Sequence, residues 1–185
     1  MFEVSRHPQM PDILVGQNPV FGDERGWFTE TYREEWEDKI RNLTDIEWVQ
    51  DNVSSSRKGA LRGLHYQRIQ PQAKWVRIIK GHVLDVAVDL RKDSPTFGKA
   101  ATFELDERSG KSIIIPVGFA HGFVVYSDEA IFSYKCSDYY CKEGERGILW
   151  SDPSLNIDWG VDNPTISEKD RLLPLLKDLP KEDLF

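Results

Sequence analysis

The chain has 185 residues, a length that suits one domain with a single buried core. Hydrophobic residues make up 39% of it and aromatic residues 11%, a composition that argues against an intrinsically disordered protein. The formal net charge of −7 argues against a protein that binds nucleic acid or an anionic membrane, so an anionic ligand would need a local cluster of Arg and Lys.

Short segments with strand periodicity dominate the chain from about residue 13 to 150, separated by Gly, Pro, Asp and Ser. The predicted strands are 13–20, 27–31, 47–53, 60–67, 74–80, 82–91, 100–105, 112–115, 119–126 and 130–136. In the clearest of them, 82–91, apolar residues alternate with residues that include Asp85 and Asp89. One apolar face and one acidic face predict a sheet that packs on one side only.

Two short helices interrupt the strands. Tyr32, Trp36 and Ile40 recur at four-residue spacing, which predicts a helix from the first to the last of them, with Thr31 as a candidate N-cap. A second helix is predicted to begin at Ser167, because Ser-Glu-Lys-Asp resembles a capping box.

About ten short strands with so little helix favour an all-β fold, either a β-sandwich or a jelly-roll β-barrel with a few short peripheral helices. Parallel α/β folds need a crossover helix after most strands, and this sequence has no such pattern. No internal repeat or linker occurs, so we expect a single domain over residues 1–185.

The sequence also predicts a compartment. Residues 1–8 lack the apolar stretch of a signal peptide, and no apolar run is long enough to span a bilayer. The two cysteines, Cys136 and Cys141, are not spaced as a redox or zinc motif, and reduced thiols are expected. We therefore expect a cytoplasmic protein.

Histidines are the first candidates for chemistry. His7 is expected in a mobile terminus, and His82 follows a turn and is expected to be structural. His65 and His121 lie within predicted strands, each close to a glycine that lets a ligand or another backbone approach. His65, His82 and His121 could converge on a metal, but no His-x-His pair occurs, and no metal is expected.

No phosphate-binding glycine loop, dinucleotide fingerprint or nucleophile elbow occurs, which leaves acid–base chemistry without a cofactor. A neutral histidine such as His65 takes a proton near pH 7. A tyrosine returns one, and a lysine stabilises an intermediate oxyanion. Tyr134 and Lys74 lie on predicted strands that could face the same interior as His65.

Seven segments follow one known family in order and spacing. They are residues 21–30, 49–52, 61–67, 74–77, 85–91, 118–123 and 167–170. The pair Arg-Gly-Leu-His and Gly-Phe-Ala-His-Gly-Phe is the most specific part. From about residue 10 to 175 the chain resembles the dTDP-4-dehydrorhamnose 3,5-epimerases, which are cupin-type jelly rolls of bacterial sugar-nucleotide pathways.

The resemblance implies a cofactor-independent isomerase that inverts C3 and C5 of a dTDP-4-keto-6-deoxy sugar through an enolate, for surface polysaccharide synthesis. It makes His65 the base, oriented by Asp170, and Tyr134 the acid on the opposite face of the sugar ring. Lys74, helped by His121, would stabilise the enolate oxygen.

The resemblance also implies the binding residues. Arg25 and Arg62 would contact the diphosphate, Gln50 and Asn52 the nucleotide, and Lys169 would add a further positive charge.

The resemblance places the Tyr139 ring near the base and sugar. It further implies a homodimer with a shared site. Phe28 and Glu30 would enter from the neighbouring subunit.

The resemblance also predicts an irregular backbone in the strand over residues 60–67. Side chains three residues apart in an ideal strand point to opposite faces, yet Arg62 and His65 are both expected to serve one ligand. We therefore predict an irregularity at Gly63.

Alternatives stay open at this point. The same scaffold could invert only C3 or only C5, or act as a 3,4-ketoisomerase. From a different class, it could bind a nucleotide sugar without catalysis, or be a metal-dependent cupin.

Overall fold

A computed structural model describes residues 1–185 as thirteen strands and two short α-helices. The strands are β1 Glu3–Arg6, β2 Leu14–Gln17, β3 Phe21–Asp23, β4 Gly26–Phe28, β5 Gln50–Arg57, β6 Leu61–Gln67, β7 Lys74–Lys80, β8 His82–Asp89, β9 Ala100–Asp106, β10 Lys111–Ile115, β11 Phe119–Val125, β12 Glu129–Cys136 and β13 Glu145–Gly147. The helices are α1 Glu34–Arg41 and α2 Glu168–Arg171. Neither is long and apolar enough to cross a membrane.

The strands form two large antiparallel sheets. One has six strands in the order β1-β2-β10-β7-β12-β5, and the other has five in the order β13-β6-β11-β8-β9. A core cluster between them draws residues from both sheets, among them Val76, Phe103, Phe123 and Phe132. Two antiparallel sheets packed in this way form a jelly roll, as the sequence predicted.

The outer faces of both sheets are covered as well. On the five-stranded sheet, Leu84 and Val86 pack with Leu155 and Trp159 of the C-terminal segment. The outer face of the six-stranded sheet packs against α1 and against Phe2, the residue that precedes β1.

The prediction for strand β8 was therefore wrong in one respect. Its apolar face packs outward against the C-terminal segment, and its acidic face points inward, where Asp85 and Asp89 are fully buried. Burial of a carboxylate is costly unless it is paired, so each has a partner: His121 for Asp85 and Arg91 for Asp89.

Helix α1 begins later than predicted. Arg33, not Thr31, occupies the N-cap and makes no side-chain capping bond. Tyr32 precedes the helix, and its hydroxyl donates to the Glu37 carboxylate. Trp36 is buried as the spacing predicted, with its ring stacked on that of Phe2.

The N-terminus also differs from the prediction of a mobile segment. Strand β1 pairs with β2, and the His7 ring packs edge-on against Phe103 at 5.1 Å between centroids. The Met10 amide donates to His7 Nδ1. Strands β1, β3 and β13 were not predicted, because each is only three or four residues long and lacks a complete alternation.

Asp89 provides a test of the buried acidic face. Burial alone would raise the pKa of its carboxyl, but hydrogen bonds from Arg91, Ser94 and Thr96 lower the pKa to about 2. The stability that the ionised carboxylate contributes is therefore present above pH 4 and is lost as the pH falls from about 4 to about 2.

We expect Asp89→Asn to lower the free energy of unfolding at pH 7 by about 1–2 kcal/mol, allowing for solvent screening. The difference from the unmodified protein should shrink towards pH 2. Urea unfolding at pH 7 and pH 3 measures it, and a difference that does not change with pH would contradict this assignment.

Candidate active site

His65 and Asp170 form a hydrogen-bonded pair. His65 lies on β6 and is half-buried, and its Nε2 is 2.7 Å from Oδ1 of the buried Asp170. Helix α2 holds the carboxylate in place, because Ser167 Oγ caps the helix by accepting from the Asp170 amide. The carboxylate turns to His65 and to the Gly63 amide, 3.5 Å away, so only the Ser167 half of the predicted capping box forms.

The pair fixes which nitrogen of His65 can act as a base. Burial would raise the pKa of the Asp170 carboxyl, but the hydrogen bond and charge of His65, with bonds from Gly63 and Ser167, lower the pKa below its usual value. An ionised Asp170 requires the proton of a neutral His65 to lie on Nε2. Nδ1 is then free to take a proton from a ligand.

The predicted irregularity at Gly63 is present. Strand β11 pairs His121 with His65 but Phe123 with Arg62, so the register shifts between these pairs. Gly63 has φ +121, and a Cβ there would lie 2.6 Å from Cα of Gly122. The two glycines let the strands approach closely, and Arg62 and His65 both line one cavity.

That cavity lies between the two sheets and has a volume of about 560 Å³. His65 and His121 line it from the five-stranded sheet, and Lys74 and Tyr134 from the six-stranded sheet. A second hollow of about 380 Å³ shares His65, Lys74 and Tyr134 with the first. The two hollows form one cleft, large enough for a small-molecule ligand.

Tyr134 and Lys74 are perturbed by this setting. Burial raises the pKa of the Tyr134 hydroxyl, so it keeps its proton at neutral pH and is able to donate it. Burial lowers the pKa of the Lys74 ammonium, while the charges of Cys136, Asp85 and Glu145 oppose the fall. A lysine in this position is suited to stabilise an oxyanion.

His121 is buried, lines the same cavity as Lys74 and has its own acidic partner. Its Nε2 lies 2.8 Å from Oδ2 of Asp85. His82, by contrast, contacts Glu104 at 3.4 Å and does not line the cavity, so the three strand histidines do not converge.

Most of the expected binding residues on the body of the fold lie along the cleft. Arg62 is held by Ser56, and Lys169 forms an ion pair with Glu145 at 2.6 Å. Gln50 and Asn52 line the second hollow and are hydrogen-bonded to each other.

Four expected residues lie elsewhere. Arg25 is at the tip of the β3–β4 hairpin and pairs with Asp23. Phe28, on the same hairpin, is 63% exposed, and Glu30 contacts Arg33.

The fourth is Tyr139, which is 60% exposed and does not line the cleft. The neighbouring Tyr140 does, with its hydroxyl donating to Glu145.

Several residues of the site were missed from the sequence: Cys136, Tyr140 and Glu145 line the cleft, and Asp85 lies behind His121. Asp85 had a signal, since it alternates with buried apolar residues, but its face was assigned to solvent. For Cys136, Tyr140 and Glu145 no sequence pattern distinguished them from ordinary surface or core residues.

Comparison with known proteins identifies the family. A family of dTDP-4-dehydrorhamnose 3,5-epimerases matches residues 7–178. A Shigella flexneri dTDP-4-dehydrorhamnose 3,5-epimerase is 52% identical over 88% of this chain and 90% of its own.

Solved structures of related epimerases have the same fold. A Legionella pneumophila epimerase in complex with dTDP-4-keto-L-rhamnose superposes with a TM-score of 0.93 at 41% identity, over 100% of this chain and 97% of its own. A 3'-monoepimerase from Streptomyces bikiniensis in complex with dTDP has a TM-score of 0.86 at 30% identity, over 93% and 87% of the chains. With a matching family over most of its length and a relative more than half identical, this chain belongs to the dTDP-4-dehydrorhamnose 3,5-epimerase family of isomerases.

Proposed function

We propose that the protein converts dTDP-4-dehydro-6-deoxy-D-glucose to dTDP-4-dehydro-L-rhamnose by inverting C3 and C5. The product would serve dTDP-rhamnose and surface polysaccharide synthesis, including lipopolysaccharide, in the cytoplasm. One observation carries the proposal: His65 and Tyr134 line the same cavity from opposite sheets, with Lys74 beside them.

The chemistry follows from the substrate. The C4 carbonyl makes the protons on C3 and C5 acidic, because it takes up the charge as an enolate. His65 Nδ1 removes the proton from one face of the ring, and the imidazolium is stabilised by Asp170. Lys74 and His121 stabilise the enolate oxygen. Tyr134 returns a proton to the same carbon from the other face, which inverts it.

The nucleotide portion would occupy the rest of the cleft. The Arg62 guanidinium suits a bidentate contact to the diphosphate, and Lys169 adds a second positive charge at the rim. Together they supply the local cationic cluster that an anionic substrate needs on a chain of net charge −7.

Replacement of Tyr134 by Phe tests the two-faced arrangement. It removes the acid but leaves His65, so deuterium from D2O should still enter C3 and C5. The deuterium should return to the original face, and inversion should fall by about 10²- to 10⁴-fold. Proton NMR of the recovered sugar distinguishes retention from inversion. Unchanged inversion in this variant would reject Tyr134 as the acid.

A C3-only epimerase is the second candidate, favoured by the similarity to the Streptomyces bikiniensis 3'-monoepimerase. Product analysis separates the two, since a double epimerase gives the L-sugar and a monoepimerase inverts one centre. A 3,4-ketoisomerase would instead keep its turnover in Tyr134→Phe and lose it in His121→Ala.

A homodimer with a shared site is the second part of the proposal. The β3–β4 hairpin exposes Phe21, Trp27 and Phe28 beside the charged Arg25. Exposed apolar side chains clustered in this way mark a contact surface, and a second copy would bring Arg25, Phe28 and Glu30 to the open cleft.

Subunit mixing tests it. His65→Ala and Arg25→Ala should each be nearly inactive alone, and their mixture should recover partial activity because a mixed dimer contains one intact site. A monomer by light scattering, or no recovery on mixing, would contradict the shared site.

A further inference from the structure

A second acidic group lies beneath the cavity, apart from the His65–Asp170 pair. Asp85 is on the inward face of β8 and is fully buried, opposite Phe103 on β9 and Phe123 on β11. Its Oδ2 contacts His121 Nε2 at 2.8 Å, and its Oδ1 has no hydrogen-bond partner in the protein.

Stability does not explain an acid at this place. A buried carboxylate with one unsatisfied oxygen among aromatic rings costs free energy, and hydrophobic replacements of buried ion pairs are often neutral or stabilising. Asp89, four residues further along the same face, differs because Arg91, Ser94 and Thr96 satisfy it. The incomplete pairing of Asp85 therefore points to a role in the chemistry.

Asp85 acts on two groups that line the cavity. It engages Nε2 of His121, which leaves Nδ1 as the nitrogen able to contact a ligand. Its charge also acts on Lys74, on the opposite sheet, without a hydrogen bond between them. Burial otherwise disfavours the protonated Lys74.

We propose that Asp85 is a positioning residue for the pair that stabilises the enolate oxygen: it fixes the orientation of His121 and keeps Lys74 in its ammonium form. This inference rests on the proposed function. It places a negative charge behind two oxyanion-stabilising groups, so that His121 stays oriented and Lys74 stays charged.

Other charged or titratable groups also face Lys74, and the test has to separate them from Asp85. They are Cys136 and Tyr134 on β12, Glu145 on β13, His65 on β6 and His121 on β11. None of these residues is substituted in Asp85→Asn, which keeps the shape of the Asp85 side chain and removes its charge.

The experiment compares Asp85→Asn with the matched variant Asp89→Asn. Asp85→Asn should lower kcat by about 10- to 100-fold, with KM and dTDP affinity nearly unchanged. The alkaline limb of its pH–rate profile should move to lower pH, because Lys74 loses its proton more readily without the Asp85 charge. In a Lys74→Met background the same change should cost much less. Asp89→Asn should lose stability but keep kcat and the profile.

Two results would overturn the inference while leaving the proposed function intact, provided that the unmodified protein turns over the keto sugar. In the first, Asp85→Asn has an unchanged kcat and pH–rate profile. In the second, its loss of activity equals its loss of folded protein. Failure of the proposed function looks different, because the unmodified protein would then not turn over the keto sugar.

Discussion

Replacing His65 with Ala should reduce deuterium incorporation at both C3 and C5 of the keto sugar by about 10²- to 10⁴-fold, the usual contribution of a positioned general base. The effect should be equal at the two carbons, because one imidazole nitrogen serves both. Asp170 contacts the other nitrogen at 2.7 Å and so orients the imidazole for this role.

The control for this variant is that it still folds and still binds dTDP. Arg62, Gln50 and Asn52 are unchanged in His65→Ala, so its affinity for dTDP should stay close to that of the unmodified protein. Isothermal titration measures the affinity, and NMR in D2O measures the exchange. Exchange at the normal rate in a folded, dTDP-binding His65→Ala protein would assign the base to another residue.

Gly63→Ala should produce the largest loss of stability. The new Cβ would lie 2.6 Å from Gly122 Cα and 2.8 Å from the His121 carbonyl oxygen, and the backbone there has φ +121. A strained backbone costs about 1–3 kcal/mol and overpacking costs a similar amount, so we expect a loss of roughly 2–6 kcal/mol. That is a large fraction of the 5–15 kcal/mol typical of a folded domain, taken as a rough range.

Gly59→Ala is the matched control. Gly59 also has a positive φ, of +75, but a Cβ there meets nothing within 4 Å. It should therefore show the backbone strain alone, about 1–3 kcal/mol. Urea unfolding of both variants measures the difference. Equal losses would show that the close approach of the β6 and β11 backbones contributes nothing.

Most strands that carry the cleft were predictable because they are long and strongly alternating; the exceptions are β5, predicted over 47–53 and found at Gln50–Arg57, and β13, which was not predicted. Strand β7 has the predicted limits, and β6, β8, β11 and β12 differ from prediction by one or two residues at an end. Gly63 was found by a parity argument, since Arg62 and His65 cannot share a face in a regular strand. Local periodicity and the spacing of chemical groups were enough for these features.

The errors came from contacts that alternation cannot show. Both faces of β8 are buried, and periodicity alone does not tell an acidic inner face from a solvent face, so Asp85 was missed. Glu145 and Tyr140 reach the cleft because a short strand, β13, pairs with β6. Tyr139, expected near the base and sugar, lies outside the cleft of a single chain, while the adjacent Tyr140 lines it.

The β3–β4 hairpin and the residues after it show what a single chain cannot reveal. Arg25, Phe28 and Glu30 were assigned to the site through the family resemblance, and a single chain leaves them away from the cleft. In the proposed homodimer a second copy would bring them to the cleft, and no contact within a single chain reveals such an arrangement.

The proposed mechanism requires that protons are abstracted from both C3 and C5 of the sugar within one cavity. It is tested most directly by incubating the protein with dTDP-4-dehydro-6-deoxy-D-glucose in D2O and following the H3 and H5 signals by proton NMR. We predict that both signals disappear and that the product carries deuterium at both inverted carbons. Exchange at only one carbon, or binding of the sugar nucleotide with no exchange at either, would contradict the claim.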